Sequence, residues 1–448
     1  MRKHAIRRKL LQACGLLVPL MTLASAWVFQ TAQSAWERQR PAVPASVAET
    51  SLRRAVRALA QGDMSRARKE SSAALVEAPD YAPALLILAC IELEENNLSE
   101  AREVIARLRA AAPTHPEPKL LELLLAHRER ALLSGWGQAF LQAWSVLNRP
   151  DFQHSPLLPA QESLSSDAQD SEEAVWRRAT SLPIRIILAL SSPKLSEERA
   201  RWLLQQVLSM QDPALLTAAS ETLSHPSLPA TLRQEALPIL RQRLGQLREH
   251  APVSIQSRLQ LLLMGTAADS AFNARELDAL DAISLLPTWK ETSSARTYKE
   301  ARDRLREAGL PAPGARAFLV AERATGHDSA LLLLQRANAT RERLSEDERR
   351  WMGRMLWRIG NRLSECPSYL EHSVGLLLME SGAEGLNDSC GQSETYTRQD
   401  ELSASAVATY KASPGRWPLP SLWAELEEAR ARDEVAWLRT WLGNAPLP

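Results

Sequence analysis

The chain has 448 residues, and its 54 basic and 53 acidic side chains give a formal net charge of +1. This balance gives no electrostatic reason to expect nucleic acid or an anionic lipid surface as a partner. Glycine is scarce, at 17 residues, which is roughly half of average usage. Sheet proteins use glycine in tight turns, whereas the abundant leucine, alanine, arginine and glutamate favour helices. The sequence therefore predicts an all-α fold.

The N-terminal region, residues 1–36, carries a membrane signal. Five basic residues and no acidic residue occur among the first nine, and residues 10–29 then contain no charge. As a helix this run would span about 30 Å, the thickness of the bilayer core. Basic flanks stay on the cytoplasmic side of a membrane. We therefore expect the rest of the chain to lie on the other side.

Two fates of this segment remain open. As a retained anchor, it would make the protein a single-pass inner-membrane protein with its body in the periplasm. The small-x-small sequence Ala24-Ser25-Ala26 instead fits a cleaved signal peptide, and the body would then be periplasmic or secreted. Arginine-rich, lysine-poor composition is typical of a GC-rich bacterial genome, so we expect a bacterial cell envelope.

Residues 48–115 hold two copies of one pattern with a period of 34 residues. The first copy contains Gly62, Ala67, Ala74, Leu75 and Pro79, and the second contains Asn96, Ala101, Leu108 and Pro113. Gly62 and Asn96 suit the left-handed end of a helix, and the alanines allow two helices to approach closely. Asp63 and Asn97 are predicted N-caps, with Glu100 completing a capping box on Asn97.

This pattern resembles the tetratricopeptide repeat, a helix-turn-helix unit of that length. A third, degenerate unit is predicted from Leu120 to Pro150, so the repeat region covers residues 46–150. The resemblance implies that the first helix of each unit lines a concave groove that binds peptides or partner helices. The predicted groove residues are Leu52, Val56, Leu59, Leu86, Cys90 and Leu93.

These six groove residues form an apolar stripe at helical spacing. They include none of the lysine, arginine or asparagine side chains with which members of the family bind a C-terminal carboxylate. An apolar partner helix is therefore the expected ligand. The alternative is that the stripe is buried against other helices of the same chain.

The remainder of the chain also reads as helical. Residues 151–171 are rich in serine, proline and aspartate and are predicted to be a linker. Residues 172–448 are predicted to be a helical domain of unknown type, either an α-solenoid or an irregular domain. Asp212 followed by Pro213, and Ser345 with Glu348, mark helix starts within it. Its polar segment near 385–420 is predicted to be an exposed loop.

Two cysteines outside the repeats could be linked. If the body is exported, Cys366 and Cys390 are predicted to form a disulfide. Two free thiols are the alternative.

The sequence shows no catalytic, metal or cofactor motif, and its eight histidines are scattered. We therefore expect no cofactor and a non-catalytic scaffold of the cell envelope that binds other proteins through its helical surfaces. Two alternatives remain: an exported helical enzyme whose site is assembled from distant residues, and an anchored protein with a cytoplasmic body.

Overall fold

The computed structural model describes residues 46–130, 135–159, 166–250 and 254–442, and within these ranges the chain forms helices and no strand. The all-α prediction is confirmed. The chain divides into two units, Met1–Thr50 and Ser51–Pro448, and all packing described below lies within the second. The predicted membrane segment at 10–29 lies outside the described residues. None of the helices in the described ranges has the length and apolar character needed to span a bilayer.

The first six helices form three successive pairs. The first two pairs are helix-turn-helix units, and in the third pair the residues between the helices, 131–134, lie outside the described part of the chain. The helices are α1 (Val47–Ala60), α2 (Met64–Glu77), α3 (Ala82–Glu94), α4 (Leu98–Ala111), α5 (Glu117–Arg130) and α6 (Trp136–Val146). The third pair occupies the region where the sequence predicted a degenerate unit, and Leu120, Leu121 and Leu124 are buried in it.

The turn between the helices of each repeat forms as predicted. Gly62 and Asn96 have φ angles of 76° and 58°, a left-handed conformation that glycine and asparagine adopt at low cost. Asp63 caps α2, because its Oδ1 accepts a hydrogen bond from the Arg66 backbone amide at 2.9 Å. Ala67 and Ala101 are fully buried, which is consistent with close approach of the paired helices.

The capping box predicted at Asn97 is wrong. The Asn97 side chain makes no cap to α4 and instead donates from Nδ2 to Glu92 Oε2 at 2.8 Å. Glu92 is also bound by Arg68 through Nε at 3.0 Å and Nη2 at 2.8 Å. Glu92 is 7% exposed, so its buried charge takes both donors, and the Asn97 side chain is held at Glu92 rather than as a cap of α4.

The middle of the chain is a series of ten helices. They are α7 (Ser166–Arg178), α8 (Leu182–Ser191), α9 (Glu197–Gln206), α10 (Pro213–Ser224), α11 (Ala230–His250), α12 (Ile255–Leu263), α13 (Ala274–Ser284), α14 (Ser294–Glu307), α15 (Gly314–Arg323) and α16 (His327–Arg341). Asp212 caps α10 through a bond from the Ala214 amide at 2.8 Å, as predicted. Helix α7 begins inside the segment predicted to be a linker, so the linker is shorter than expected.

Arginines close the C-terminal end of α8. Arg323 donates to the carbonyl of Leu190 at 2.6 Å and of Ser192 at 3.0 Å, and Arg316 donates to that of Ser191 at 3.2 Å. The last carbonyls of a helix have no partner within the helix and carry the negative end of its dipole. These long-range contacts therefore fix α8 against α15.

The last four helices are α17 (Glu346–Ser364), α18 (Tyr369–Leu386), α19 (Ser389–Ala412) and α20 (Pro420–Thr440). Ser345 and Glu348 form the predicted capping box at the start of α17. Helices α17 and α18 pack closely along a row of glycines. A Cβ added to Gly360 would lie 2.6 Å from the Gly375 carbonyl oxygen and 2.8 Å from the Met379 backbone nitrogen. Only glycine allows this separation.

The exposed loop predicted near 385–420 is largely the 24-residue helix α19. Its polar composition is compatible with a helix because its hydroxyls bond within it. Thr395 and Ser405 are fully buried and donate to the carbonyls of Gly391 at 3.0 Å and Glu401 at 2.8 Å, four residues earlier. Asp388 caps the helix through the amides of Cys390 and Gly391.

Candidate functional site

The six predicted groove residues lie together on α1 and α3, but they are not open to solvent. Val56, Leu59, Leu86, Cys90 and Leu93 are at most 3% exposed, and Leu52 is half-buried. The alternative named from the sequence, burial against the same chain, therefore describes this stripe. Its apolar character is used for packing within the protein.

The last helix, α20, supplies part of the cover. Trp423 from its first turn packs against the cluster formed by Val56, Ala58, Leu59, Ala67, Ile87 and Ile91, beside Leu52 and Met64. Part of the predicted groove is thus in contact with a helix. The helix belongs to the same chain, and its Ser421 lies 327 residues after Glu94 of the second repeat.

Hydrogen bonds fix the start of α20 at the end of α3. Glu94 Oε1 accepts from the Ser421 backbone amide at 3.0 Å, and Oε2 accepts from the Ser421 hydroxyl at 2.6 Å. Pro420 is in the first turn, where its missing N–H has no helical partner to lose. Glu94 therefore caps the N-terminus of α20 from another helix. It lies at the C-terminal end of α3, where its carboxylate cannot cap its own helix.

One turn further along α20, Glu425 caps another helix. Its Oε1 accepts from the Trp136 amide at 2.9 Å and its Oε2 from the Gly137 amide at 2.8 Å. These amides belong to the first turn of α6, where the helix dipole favours a negative charge. Glu94 of the second repeat thus caps α20, and Glu425 of α20 caps a helix of the third repeat. The two carboxylates together join α20 to both repeats.

An aromatic cluster extends this contact. Phe140 of α6 lies edge-on to Trp417, with ring centroids 5.5 Å apart, and Trp144 lies edge-on to Trp441 at 5.7 Å. Phe152 packs on Trp417 at 5.1 Å. Large aromatic side chains bury 150–250 Å² each. The segment 413–442, which we call the C-terminal clasp, is therefore packed tightly on the third repeat.

Arg416 holds the irregular segment after α6 in the clasp. Its guanidinium donates to the carbonyls of Phe152 at 3.0 Å, Ser155 at 3.1 Å, Leu158 at 2.9 Å and Pro159 at 3.0 Å, and also to that of Gln153. A buried segment without regular structure needs partners for its backbone groups, and one arginine supplies five. This part of the predicted linker is therefore fixed against the clasp.

Side chains of both charges, Glu94 and Arg128, lie at the edge of the groove. Burial raises the pKa of Glu94, and the two hydrogen bonds from Ser421 together with Arg128 oppose that rise. The guanidinium of Arg128 also stacks on Trp136, 3.9 Å from the ring centroid. Burial raises the pKa of the Cys90 thiol well above its ordinary value, with a further contribution from Glu94. Cys90 is therefore a packed thiol and not a nucleophile.

The predicted disulfide is not formed: Cys366 and Cys390 are free thiols. Cys366 precedes α18 and Cys390 follows it, so the 18 residues of that helix separate them, which corresponds to about 27 Å of helix. A disulfide needs Cα atoms within about 7 Å. Cys366 instead contacts the carbonyl of Arg362, and burial raises its pKa to about 12.

Among the described residues, no group of three or more histidine, cysteine, aspartate or glutamate side chains is placed to bind a metal ion.

The residues that matter most at the groove were missed from the sequence. Ser421 and Glu425 are four residues apart, on one face of a helix whose start Pro420 signals, and Trp423 lies between them in sequence. No sequence signal connects that face to residues 52–94.

Comparison with known proteins finds one similarity. Residues 58–124 match the tetratricopeptide repeat family, a range that runs from the end of α1 to the middle of α5. No curated protein and no solved structure matches the chain. Tetratricopeptide repeats suggest a role in binding other proteins. The matched range and the helix pairs agree, and the chain therefore contains tetratricopeptide repeats.

Proposed function

We propose that this protein is a non-catalytic scaffold that binds other proteins through the groove of its tetratricopeptide repeats. The observation that carries the proposal is the seating of α20 on that groove through Trp423 and the Glu94–Ser421 hydrogen bonds. The contact is a helix held by one aromatic anchor and one capped N-terminus. It has the form in which helical grooves bind partner helices.

In this proposal a partner helix displaces α20. The partner has an aromatic residue in its first turn for the cluster around Val56 and Leu59, and a hydroxyl at its N-terminus for Glu94. Only the first turn of α20 has to leave the groove, and each of its two hydrogen bonds to Glu94 contributes about 1 kcal/mol. The later turns stay held by Glu425 and the aromatic cluster. Because α20 already occupies the groove, only a partner that binds the groove more strongly than α20 does can replace it.

The experiment compares the full-length chain with its Trp423→Ala variant. A fluorescent peptide covering residues 417–442 is titrated against both, and anisotropy reports binding. We expect the variant to bind the peptide at least about tenfold more tightly, since its own helix has lost its anchor. Tyr396→Ala is the matched control, because Tyr396 is a 59% exposed aromatic on α19.

The same variants test partner binding in cells. Affinity purification from detergent extracts, with isotope labelling, should recover partners more strongly with Trp423→Ala than with the wild type. An excess of the 417–442 peptide should remove these partners, and the Tyr396→Ala variant should match the wild type. If no protein depends on Trp423 and none is displaced by the peptide, the groove is not a binding site and the proposal is wrong.

We further propose that the body lies in the bacterial periplasm, joined to the inner membrane by residues 10–29 or exported after their cleavage. The basic flank and the uncharged run support this placement. Alkaline phosphatase fused at the C-terminus should be active, and green fluorescent protein fused there should not fluoresce. The opposite result would place the body in the cytoplasm. A mature N-terminus at Trp27 would select export over anchoring.

A further inference from the structure

A cavity of about 490 Å³ opens between α10, α11, α12 and α16. These helices take no part in the groove contacts described above. Its apolar wall includes Leu237, Leu263 and Leu332, and its polar wall includes Glu221, Arg233, Gln260 and Asp328. A mostly apolar cleft of 300–1,000 Å³ with a few converging polar groups is the usual form of a small-molecule site.

Two carboxyl groups meet at the polar wall. The side chains of Glu221 and Asp328 are hydrogen-bonded to each other. Burial raises the pKa of Glu221 well above its ordinary value, and the bond from Glu221 lowers the pKa of Asp328. These shifts favour the neutral form of Glu221 and the charged form of Asp328, whose side chain is 60% exposed.

Two further polar groups of the wall have no hydrogen-bond partner among the described residues. They are the amide oxygen of Gln260, whose side chain is 5% exposed, and Nε of Arg233. Buried amide groups are nearly always bonded. Gln256, one turn earlier on α12 and 7% exposed, follows that rule, because its Nε2 donates to the Ala324 carbonyl at 2.9 Å. The Gln260 oxygen, which lies in the cavity wall, is thus an exception to that rule.

The charges of the wall restrict the ligand. The carboxyl pair and the Gln260 oxygen require hydrogen-bond donors, and an ammonium group supplies three. Arg233 requires an acceptor, and a carboxylate suits a guanidinium best. A simple anion would be repelled by Asp328, and a simple cation would be repelled by Arg233. The apolar wall, in turn, favours a hydrocarbon side chain.

We propose that this cavity binds a free α-amino acid with an apolar side chain. Its ammonium group contacts Asp328, Glu221 and Gln260, its carboxylate contacts Arg233, and its side chain lies against Leu237, Leu263 and Leu332. The protein thereby has a small-molecule site that is separate from its repeat groove.

The test is isothermal titration calorimetry of the full-length chain with L-leucine. We expect saturable binding with a Kd between about 1 μM and 1 mM. Two leucine analogues, tested on the wild-type protein, show which groups of the ligand are needed for binding. Isoamylamine lacks the carboxylate and 4-methylpentanoate lacks the ammonium group, and each should bind at least about tenfold more weakly than leucine.

Variants then place the ligand in this cavity. Asp328→Asn and Arg233→Gln should each weaken leucine binding by at least about tenfold, since each removes one charge-assisted contact. Asp347→Asn is the matched control, because the Asp347 side chain is 97% exposed on α17, and it should bind leucine as the wild type does. Circular dichroism checks that the helical content of each variant is retained.

Three results would overturn the proposal. The first is no saturable binding of leucine, valine, methionine or phenylalanine up to about 10 mM. The second is an analogue that binds the wild type as tightly as leucine, which would remove the need for a zwitterion. The third is unchanged leucine binding in folded Asp328→Asn. If a variant fails to fold, the analogue comparison on the wild type still decides.

Discussion

Ser421 contacts Glu94 through two hydrogen bonds, one from its backbone amide and one from its hydroxyl, across 327 residues of chain. The relationship means that the end of the first helix of the second repeat and the beginning of the last helix stabilise each other. Glu94 supplies both acceptors, so a single substitution removes both bonds and leaves the Ser421 amide without its cap.

The first prediction concerns Glu94→Ala. Because a lost N-cap costs about 1–2 kcal/mol, amide hydrogen exchange at residues 420–426 should quicken by about fivefold to thirtyfold. Hydrogen exchange followed by mass spectrometry measures it. Glu103→Ala removes an exposed glutamate of α4 and should leave these rates unchanged. Equal rates in the two variants would contradict the role assigned to Glu94.

The second prediction concerns the glycine row between α17 and α18. Gly360→Ala should destabilise the protein by about 1–3 kcal/mol, because the added Cβ meets backbone atoms that cannot yield. Urea denaturation gives the change. Gly245→Ala on α11 is the control, since nothing lies within 4 Å of its Cβ, and it should stabilise by about 0.5–1 kcal/mol. The same change from glycine to alanine is thus expected to destabilise the protein at position 360 and to stabilise it at position 245.

A third prediction follows from a buried ion pair. Lys290 Nζ donates to both oxygens of Glu371 at 2.7 Å, and Glu371 is fully buried. Lys290→Met or Glu371→Leu alone should cost about 3–5 kcal/mol, because each leaves one buried group without its partner. The double variant Lys290→Met, Glu371→Leu should cost less than the sum. Chemical denaturation of all four proteins completes the cycle, and simple additivity would show that the two groups are not coupled.

The fourth prediction concerns acid stability. His372 is 5% exposed, and burial, followed by Arg398 and Arg439, lowers its pKa from 6.5 to about 4. The unfolded chain binds a proton here at higher pH than the folded one. Stability is therefore present above pH 6.5 and is lost as the pH falls towards 4.

The contribution of His372 should reach about 2–3 kcal/mol. It is measured as the difference between the wild type and His372→Gln in free energy of unfolding at pH 7 and pH 4. The variant should lose less stability over this interval. His154→Gln, at an exposed position, should follow the wild type. A His372→Gln profile parallel to that of the wild type would show that the group is not titrated on unfolding.

The local features of the fold were predictable because their causes are local. Gly62 and Asn96 end their helices by backbone conformation, and Ser345 with Glu348 forms a capping box between residues three apart. The prediction failed where a tertiary contact intervenes. Asn97 was expected to cap α4, but its Nδ2 donates to the buried Glu92, which the distant Arg68 also binds. Sequence order contains no information about that competition.

The same reasoning explains the errors at the site. The apolar stripe from Leu52 to Leu93 was recognisable from its spacing, but its cover, Trp423, is a tertiary contact with no local signal. The segment near 385–420 looked like a loop because serine and threonine are common in loops. Their bonds to carbonyls four residues earlier allow the helix. Cys366 and Cys390 seemed close in sequence, yet a straight helix keeps them apart.

The long separation between the repeats and their cover has a consequence for biosynthesis. At about 5–20 residues per second, a ribosome needs about 16–65 s to extend the chain by the 327 residues between Glu94 and Ser421. During that interval the nascent repeats carry an uncovered apolar face, which is the kind of surface that chaperones bind. A premature stop codon before residue 420 would leave that face bare permanently and would turn a late truncation into an aggregating product.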